Sequence, residues 1–374
     1  MSSSAPIKVG FVGLSAAGWA AQILGPSLTD PSLHSKYDLV AVSTSSTASA
    51  EASAQKYAEK VGHPVKAYHG DTSQIANDPD VNFVAVSVKA PSHKELVLPA
   101  IEAGKDFFLE WPAGTSLKET EEIAEAAKQK GVKSLIGLQG RHSRAVLKVR
   151  ELIAAGAIGT VRSTHIVSHV GREISIWPPL VFEKLTYLSK KENGANKLTI
   201  PLGHQLDTLT HLLGDFSSVS ALIETLFPTG TYIDETGKPT GKTFPSETPD
   251  HFSISGVLSS GIVANVFLRS GYASGPGRRQ FLWEIDGEEG SIRLESDHQQ
   301  ASTPGIIEPK LFLNGNPVEV EGAEKAGALD SATTAWREFA DGHGHYATIE
   351  DALKHKRLLD AIETSARESR RVFL

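Results

Sequence analysis

Ile7-Lys8-Val9-Gly10-Phe11-Val12-Gly13-Leu14-Ser15-Ala16-Ala17-Gly18 decides how the first third of this chain folds. Ile7 to Val12 is a short apolar strand, and it runs directly into a glycine-marked turn and a helical stretch from Trp19. Strand, glycine turn and helix in that order open a dinucleotide-binding unit. Gly13 makes the tight turn, and Gly18 is expected to permit close helix–strand packing. The place of the usual middle glycine is taken by Ser15. A side chain that small still lets the backbone of Ser15 and Ala16 approach a pyrophosphate.

The segments that follow keep the rhythm. Leu39–Val42, Asn82–Val88, Phe107–Leu109 and Ser134–Leu138 read as strands. Between them Ala48–Val61, His93–Ala103 and Leu117–Lys130 read as helices, the last two closed by Gly104 and Gly131. Strands separated by helices in this way form a parallel sheet covered on both faces, a doubly wound Rossmann-type domain over residues 1–140. Residues 141–374 are patterned differently. A helix over Ser143–Ala155 precedes strands near Val161–Val167, Val219–Leu226, His251–Leu258, Ile262–Arg269, Trp283–Asp286 and Ser291–Glu295, with hairpin-like glycine turns between several of them. The expected fold is therefore α/β plus α+β, the second domain being built on a large, mostly antiparallel sheet. A helix over Ile349–Ser369 is free to pack on either domain. The stretch Thr229–Thr248, rich in Gly, Pro and Thr, reads as a lid or partner loop.

Composition narrows the function. The 374 residues are 40% hydrophobic and 22% charged, with a net charge of −7. No strongly basic stretch supports nucleic acid or an anionic membrane as partner. The absence of cysteine excludes disulfides and thiolate chemistry. No apolar run is long enough to span a bilayer. Met1–Pro6 lacks a basic region followed by an apolar one, so no leader peptide is expected and a cytoplasmic protein is the default.

Candidate site residues gather at three places. Glu110-Trp111-Pro112 ends the Phe107–Leu109 strand at the sheet edge where ligands bind, so Glu110 and Trp111 face cofactor or substrate. Ser43-Thr44-Ser45 follows the second strand where NAD-binding domains place an acidic residue. Small hydroxylic side chains there leave room for a 2′-phosphate, which favours NADP over NAD. In the second half, His204, Asp207 and His211 share one helix face. They suit proton chemistry or substrate binding, a structural pairing, or a metal. A metal needs further ligands that the sequence does not supply, and none is assigned.

Together with Pro91-Ser92-His93, Ala103-Gly104-Lys105 and Asp286-Gly287-Glu288-Glu289-Gly290, these landmarks resemble the glucose–fructose oxidoreductase/inositol dehydrogenase (Gfo/Idh/MocA) family over almost the whole chain. Val9–Leu14, Leu138-Gln139-Gly140-Arg141 and Pro249-Asp250-His251 are similar to its branch of fungal galactose-gene repressors. The resemblance implies an NAD(P)-dependent dehydrogenase of sugars or polyols, usually a homodimer. His211 is then the acid/base, Asp207 its partner, and Arg141 and His204 substrate contacts. The family signature is Glu-Lys-Pro. Trp111 replaces its lysine and offers a stacking face in place of a charge, with Lys89 on the same sheet edge as a substitute ammonium. The repressor branch implies the alternative, a dinucleotide-binding regulator that acts through a protein partner without turnover.

Overall fold

The computed structural model describes residues 5–302 and 304–374. Met1–Ser4, part of the segment read above for a leader, lies outside them. The chain forms two compact units: residues up to Gln139 with Leu329–Lys354, and Gly140–Ala328 with His355–Leu374.

The first unit is built on six strands: β1 (Ile7–Val12), β2 (Tyr37–Thr44), β3 (Lys66–His69), β4 (Phe83–Val86), β5 (Asp106–Leu109) and β6 (Ser134–Ile136). They lie in the order β3-β2-β1-β4-β5-β6, all pairs parallel. Successive strands run outward from β1 in one direction and from β4 in the other, so the ligand crevice lies beyond the carboxyl ends of β1 and β4. After β1 the helical run begins as a π-turn segment, Ala20–Leu24, and tightens into α1 (Gly25–Leu28). Four further helices follow: α2 (Thr47–Val61), α3 (Ser73–Ala76), α4 (His93–Glu102) and α5 (Leu117–Lys130). Helix α5 shows why the sequence was readable. The Ser116 hydroxyl caps its first turn, Thr120, Ile123, Ala124 and Ala127 form a buried stripe, and Gly131 ends it in the left-handed region at φ 67°. The expected role of Gly18 is corrected. Its surroundings are open and its φ is +92°, so it serves the turn; the close packing is at Gly25, where a Cβ would lie 2.1 Å from the Tyr57 hydroxyl.

In the second unit α6 (Arg144–Ala154) precedes β7 (Val161–Val170) and β8 (Leu180–Phe182), and α7 (Gly203–Leu213) precedes β9 (Phe216–Glu224). Then come β10 (Thr229–Ile233), β11 (Pro239–Pro245), β12 (His251–Leu258), β13 (Val263–Ser270), β14 (Phe281–Gly287) and β15 (Ser291–Ser296). Strands β16 (Lys310–Leu313), β17 (Asn316–Val318) and β18 (Val372–Phe373) complete it. Nine strands form one sheet, β17-β16-β15-β14-β7-β13-β12-β9-β18, antiparallel except for β7 beside β13. One face is buried through Ile166, Ile254, Val266 and Trp283, while Leu222, Ser253, Ser255, Val263 and Asn265 leave the other open. The stretch read as a loop is largely a hairpin, β10 with β11, extended by β8. Gly230 lies under the Phe244 ring and Asp234 caps the turn through Thr236 and Lys238.

Helix α8 (Ala328–Asp341) returns to the first unit. Ala332, Ala335, Trp336 and Phe339 enter the core made by Phe11, Leu39, Phe83 and Phe108. The Trp336 indole donates to the Ser27 hydroxyl at 3.1 Å and its carbonyl accepts from the Tyr37 hydroxyl at 2.7 Å. After it, the Ala347 carbonyl accepts from the Ile136 N–H at 2.8 Å and α9 (Ile349–Glu368) begins. Among the described residues no helix is long and apolar enough to cross a membrane.

Candidate functional site

In the first unit the glycine turn is fixed by sterics. Gly13 has φ +91° and a Cβ there would stand 2.1 Å from the Ser87 carbonyl oxygen. Its N–H donates to the Ser43 carbonyl at 2.8 Å, tying the end of β1 to β2. Ala16, Ala17 and Gly18 are exposed, and no acidic side chain lies in the first helical turn that follows. The Gly13 and Ser15 N–H groups are used internally, so the part of the loop that fits a dinucleotide pyrophosphate is the exposed Ala16–Gly18 stretch, which no carboxylate in that first turn opposes. The Ser15 hydroxyl is used internally, donating to the Ala17 carbonyl at 3.2 Å. At the end of β2, Ser43 and Thr44 are buried, and the Thr44 hydroxyl donates to the Ser46 carbonyl. Of the three hydroxylic candidates only Ser45 is exposed. Beside them stands His69, the exposed last residue of β3, which pairs with Thr44 in the sheet. Sequence reading missed it, since β3 has no apolar alternation to reveal it.

The signature strand delivers a buried carboxyl. Glu110 Oε1 accepts from the Trp19 indole at 2.5 Å and from the Gln139 amide at 3.1 Å, while Oε2 accepts from the Trp111 N–H at 2.6 Å. Gly137 is required beneath it, because a Cβ there would lie 1.6 Å from Oε2. Trp19 thus connects the glycine loop to β5. Trp111 itself is only 5% exposed, so it fills the position of the family lysine as packing. The Trp111–Pro112 bond is cis, and the Pro112 carbonyl is held by His93 Nδ1 at 2.8 Å. Lys89 is exposed at the exit of β4, on the same carboxyl edge.

Burial raises the Glu110 pKa to about 7 from the usual 4.5, against the three hydrogen bonds that lower it. Between those two values the folded chain keeps a proton that the unfolded chain releases. The contribution of this group is full below the lower value and is lost as pH rises through the upper one. The swing is about 3 kcal/mol. Glu110→Gln, fixed in the neutral form, should match the wild type in denaturant midpoint near pH 5 and exceed it near pH 8 by about that amount. Parallel pH curves for the two proteins would show that Glu110 ionises normally in the fold.

In the second unit the helix face expected from the sequence exists, but its carboxylate has another partner. Arg141 grips Asp207 through Nε at 2.8 Å and a terminal nitrogen at 2.6 Å. The two residues are 7% and 1% exposed. Burial pushes the Asp207 pKa up, but Arg141, helped by His355 and His211, holds it below the usual range. Arg141, expected to contact substrate, is thus an internal partner. Asp207, expected to orient His211, accepts from the Arg141 guanidinium through both oxygens and has His211 close enough to help lower its pKa. Gly140 lets the Arg141 turn approach α7, since a Cβ there would lie 2.8 Å from the Thr208 hydroxyl.

His211 is half-buried in the last turn of α7. His204 is buried, and burial holds its pKa down to about 4, with Asp207 opposing and His355 reinforcing. It is a neutral imidazole at ordinary pH, and its Nδ1 makes no hydrogen bond. His204 lines a cavity of about 20 Å³ between α7 and the sheet, with Gly140, Gln205, Thr208, Trp283 and Ser302. His142, held near 3 chiefly by burial, and His355, near 4 for the same reason, complete the surroundings. Neither was singled out from the sequence, because both reach α7 from distant segments. Among the described residues no group of three or more His, Asp or Glu is disposed to hold a metal ion.

Comparison with known proteins agrees with the two-part fold. Residues 7–138 match the model of the oxidoreductase family with an NAD-binding Rossmann fold, and residues 145–296 that of the Gal80p C-terminal domain. The chain is 33% identical to dehydrogenase aclE of Aspergillus oryzae, over 96% of each protein. It is 30% identical to the galactose/lactose metabolism regulatory protein GAL80 of Saccharomyces cerevisiae, over 84% of this chain and 71% of that protein. Among solved structures, a super-repressor mutant of Gal80p from Saccharomyces cerevisiae superposes with a TM-score of 0.87 at 24% identity, covering 99% of this chain and 98% of that one. A levoglucosan dehydrogenase in complex with NADH and L-sorbose superposes with a TM-score of 0.77 at 20% identity, covering 99% of both chains.

Proposed function

The chain belongs to the Gfo/Idh/MocA oxidoreductase family, in the branch with a Gal80p-type carboxy-terminal domain, and from that premise we propose that it is an NAD(P)-dependent oxidoreductase of a sugar, polyol or other hydroxylated small molecule. The observation that carries the reading is His204, a neutral buried imidazole whose Nδ1 has no hydrogen-bond partner among the described residues. Such a group takes up or releases a hydroxyl proton without first losing a hydrogen bond. The sequence alone points to His211; His204 is preferred because its buried Nδ1 makes no hydrogen bond among the described residues.

The dinucleotide, when bound, supplies or accepts the hydride. The chain's own part is to hold it: the Gly13–Gly18 loop receives the pyrophosphate, and Glu110 steadies that loop through Trp19. Ser45 and His69 stand where the adenosine ribose is recognised. With no carboxylate at the end of β2, NADP is favoured over NAD. Titrating NADPH and NADH by fluorescence, then adding sugars, polyols and their keto forms while following absorbance, tests the proposal. Binding with turnover supports it, and binding without turnover across the panel rejects it in favour of the second reading.

That second reading, a dinucleotide-binding regulator working through a protein partner, is favoured by Trp111, which removes the signature cation. The GAL80 relative is named as a regulatory protein. Cytoplasmic residence belongs to the enzyme reading, with the nucleus added for the regulator. A homodimer is proposed in either case. Its surface is the open face of the nine-stranded sheet, where Leu222 and Val263 are 58% and 49% exposed. Leu222→Asp with Val263→Asp should convert a dimer to a monomer in light scattering after gel filtration. A wild-type monomer would dismiss the surface.

A further inference from the structure

Three donors meet the two oxygens of Glu110: the Trp19 indole and the Gln139 amide on Oε1, and the Trp111 N–H on Oε2. All four residues belong to the first unit. The arrangement satisfies an ionised carboxylate, which only accepts. The raised pKa comes from burial, opposed by these three bonds, and no charged side chain is among its causes. From Gly13 to Leu24 and from Ser134 to Gln139 the chain has no titratable side chain. On the other neighbouring segments, His93 is bonded to the Pro112 and Val88 carbonyls, Asp106 accepts from the Lys133 N–H, and Lys89 is exposed.

A protonated carboxyl has a hydrogen to donate and needs an acceptor. The Trp19 indole and the Trp111 main-chain N–H are donors only. The Gln139 amide is the one partner of the three that can change role, because its other end is an oxygen. That oxygen is buried and makes no hydrogen bond. Turning the amide over brings the oxygen to Glu110 and puts the nitrogen in its place, so one end of the amide is unpartnered before and after. Gln139 also borders an apolar cavity of about 10 Å³, with Leu24, Phe108, Ile136 and Trp336, which leaves room for the turn. Oε1, once a hydroxyl oxygen, is a weaker acceptor for Trp19, because a hydrogen bond to a charged group is about twice as strong as one between neutral groups.

We propose that Glu110 is a proton switch on the cofactor loop. Ionised, it holds Trp19 and the loop in the form that receives a dinucleotide. Protonated, it donates to the turned Gln139 amide and lets Trp19 go. Cofactor binding therefore expels a proton, and affinity rises with pH through the titration of this one group. A folded pKa of about 7 places that titration at ordinary pH. Trp19 and Gln139 act here as positioning residues. The inference rests on dinucleotide binding, which both readings of the function share, and not on turnover.

The test uses the full-length protein and NADH, which lacks the 2′-phosphate that itself titrates at about pH 6. A ligand taken only by the ionised form should bind about tenfold more weakly at pH 6 than at pH 8. Titration calorimetry at pH 7, in buffers of different ionisation heat, should show proton release on binding. In Glu110→Gln both effects should vanish, leaving an affinity near the wild-type value at pH 6. Without cofactor, the Trp19 indole and Gln139 amide resonances of the wild type should move together with one midpoint at about pH 7, and stay still in Glu110→Gln. Flat NADH affinity, a pH dependence that survives in Glu110→Gln, or resonances that do not titrate would overturn the switch while leaving the cofactor reading intact. Resonances that titrate in a protein that binds no dinucleotide would overturn both.

Discussion

His204→Asn is expected to lower kcat by about 10²–10⁴-fold while leaving NADPH affinity unchanged. The imidazole is held neutral, with its own pKa near 4, and its unpartnered Nδ1 is the group available to exchange a proton. Asn preserves polarity and approximate volume, so a collapse of the cavity beneath α7 is not the cause of the loss. Because protonation sets in only near pH 4, this group should leave kcat/KM flat across the neutral range and depress it only in acid. His211→Ala, at a half-buried position in the last turn of α7, should change kcat by no more than several-fold. If the two variants exchange these effects, the proton is carried by His211 and the spacing argument from the sequence is restored. The measurement is steady-state kinetics on whichever substrate the panel yields, alongside fluorescence titration of the cofactor.

Arg141→Met should destabilise the fold by about 3–5 kcal/mol. The guanidinium and the Asp207 carboxylate meet in a two-pronged contact with almost no exposure. Removing the cation leaves a buried carboxylate facing a methionine, with His204 and His355 beside it held neutral by burial. The carboxylate must then take up a proton or drag water inward, and either is costly. The double variant Arg141→Met/Asp207→Leu should recover most of the loss, because an apolar pair of similar bulk avoids the unpaired charge. Denaturant midpoints of the three proteins decide the matter. A loss below about 1 kcal/mol for the single variant would mean that the pair is solvated in solution.

The sequence carried the local rules of this fold better than its long-range pairings. Leu117–Lys130 was legible because its cap, its buried stripe and its closing glycine all lie within sixteen positions of one another. Gly13 was legible because strand and turn are adjacent. Strand β3 was not, since Lys66, Ala67 and His69 are exposed and only main-chain bonds to β2 define it. Helix α8 did have a signal that went unused: Ala332, Ala335, Trp336 and Phe339 stand at helical spacing. In the candidate site, the face shared by His204, Asp207 and His211 could be drawn from spacing. That Asp207 belongs to Arg141, or Glu110 to Trp19 and Gln139, could not, because those partners are brought in by folding. Gly25 and Gly137 read as ordinary small residues until the side chains that crowd them are known.

The return of α8 bears on how the protein is made. The core around Phe83 and Phe108 is finished only by Trp336, and the edge beside β6 only when Ala347 arrives. A ribosome therefore synthesises Gly140–Ala328, the larger part of the second unit, while the first still exposes the groove meant for that indole. Nascent chains arrested after Gln139 should be protease-sensitive and chaperone-bound, and those arrested well past Lys354 should not.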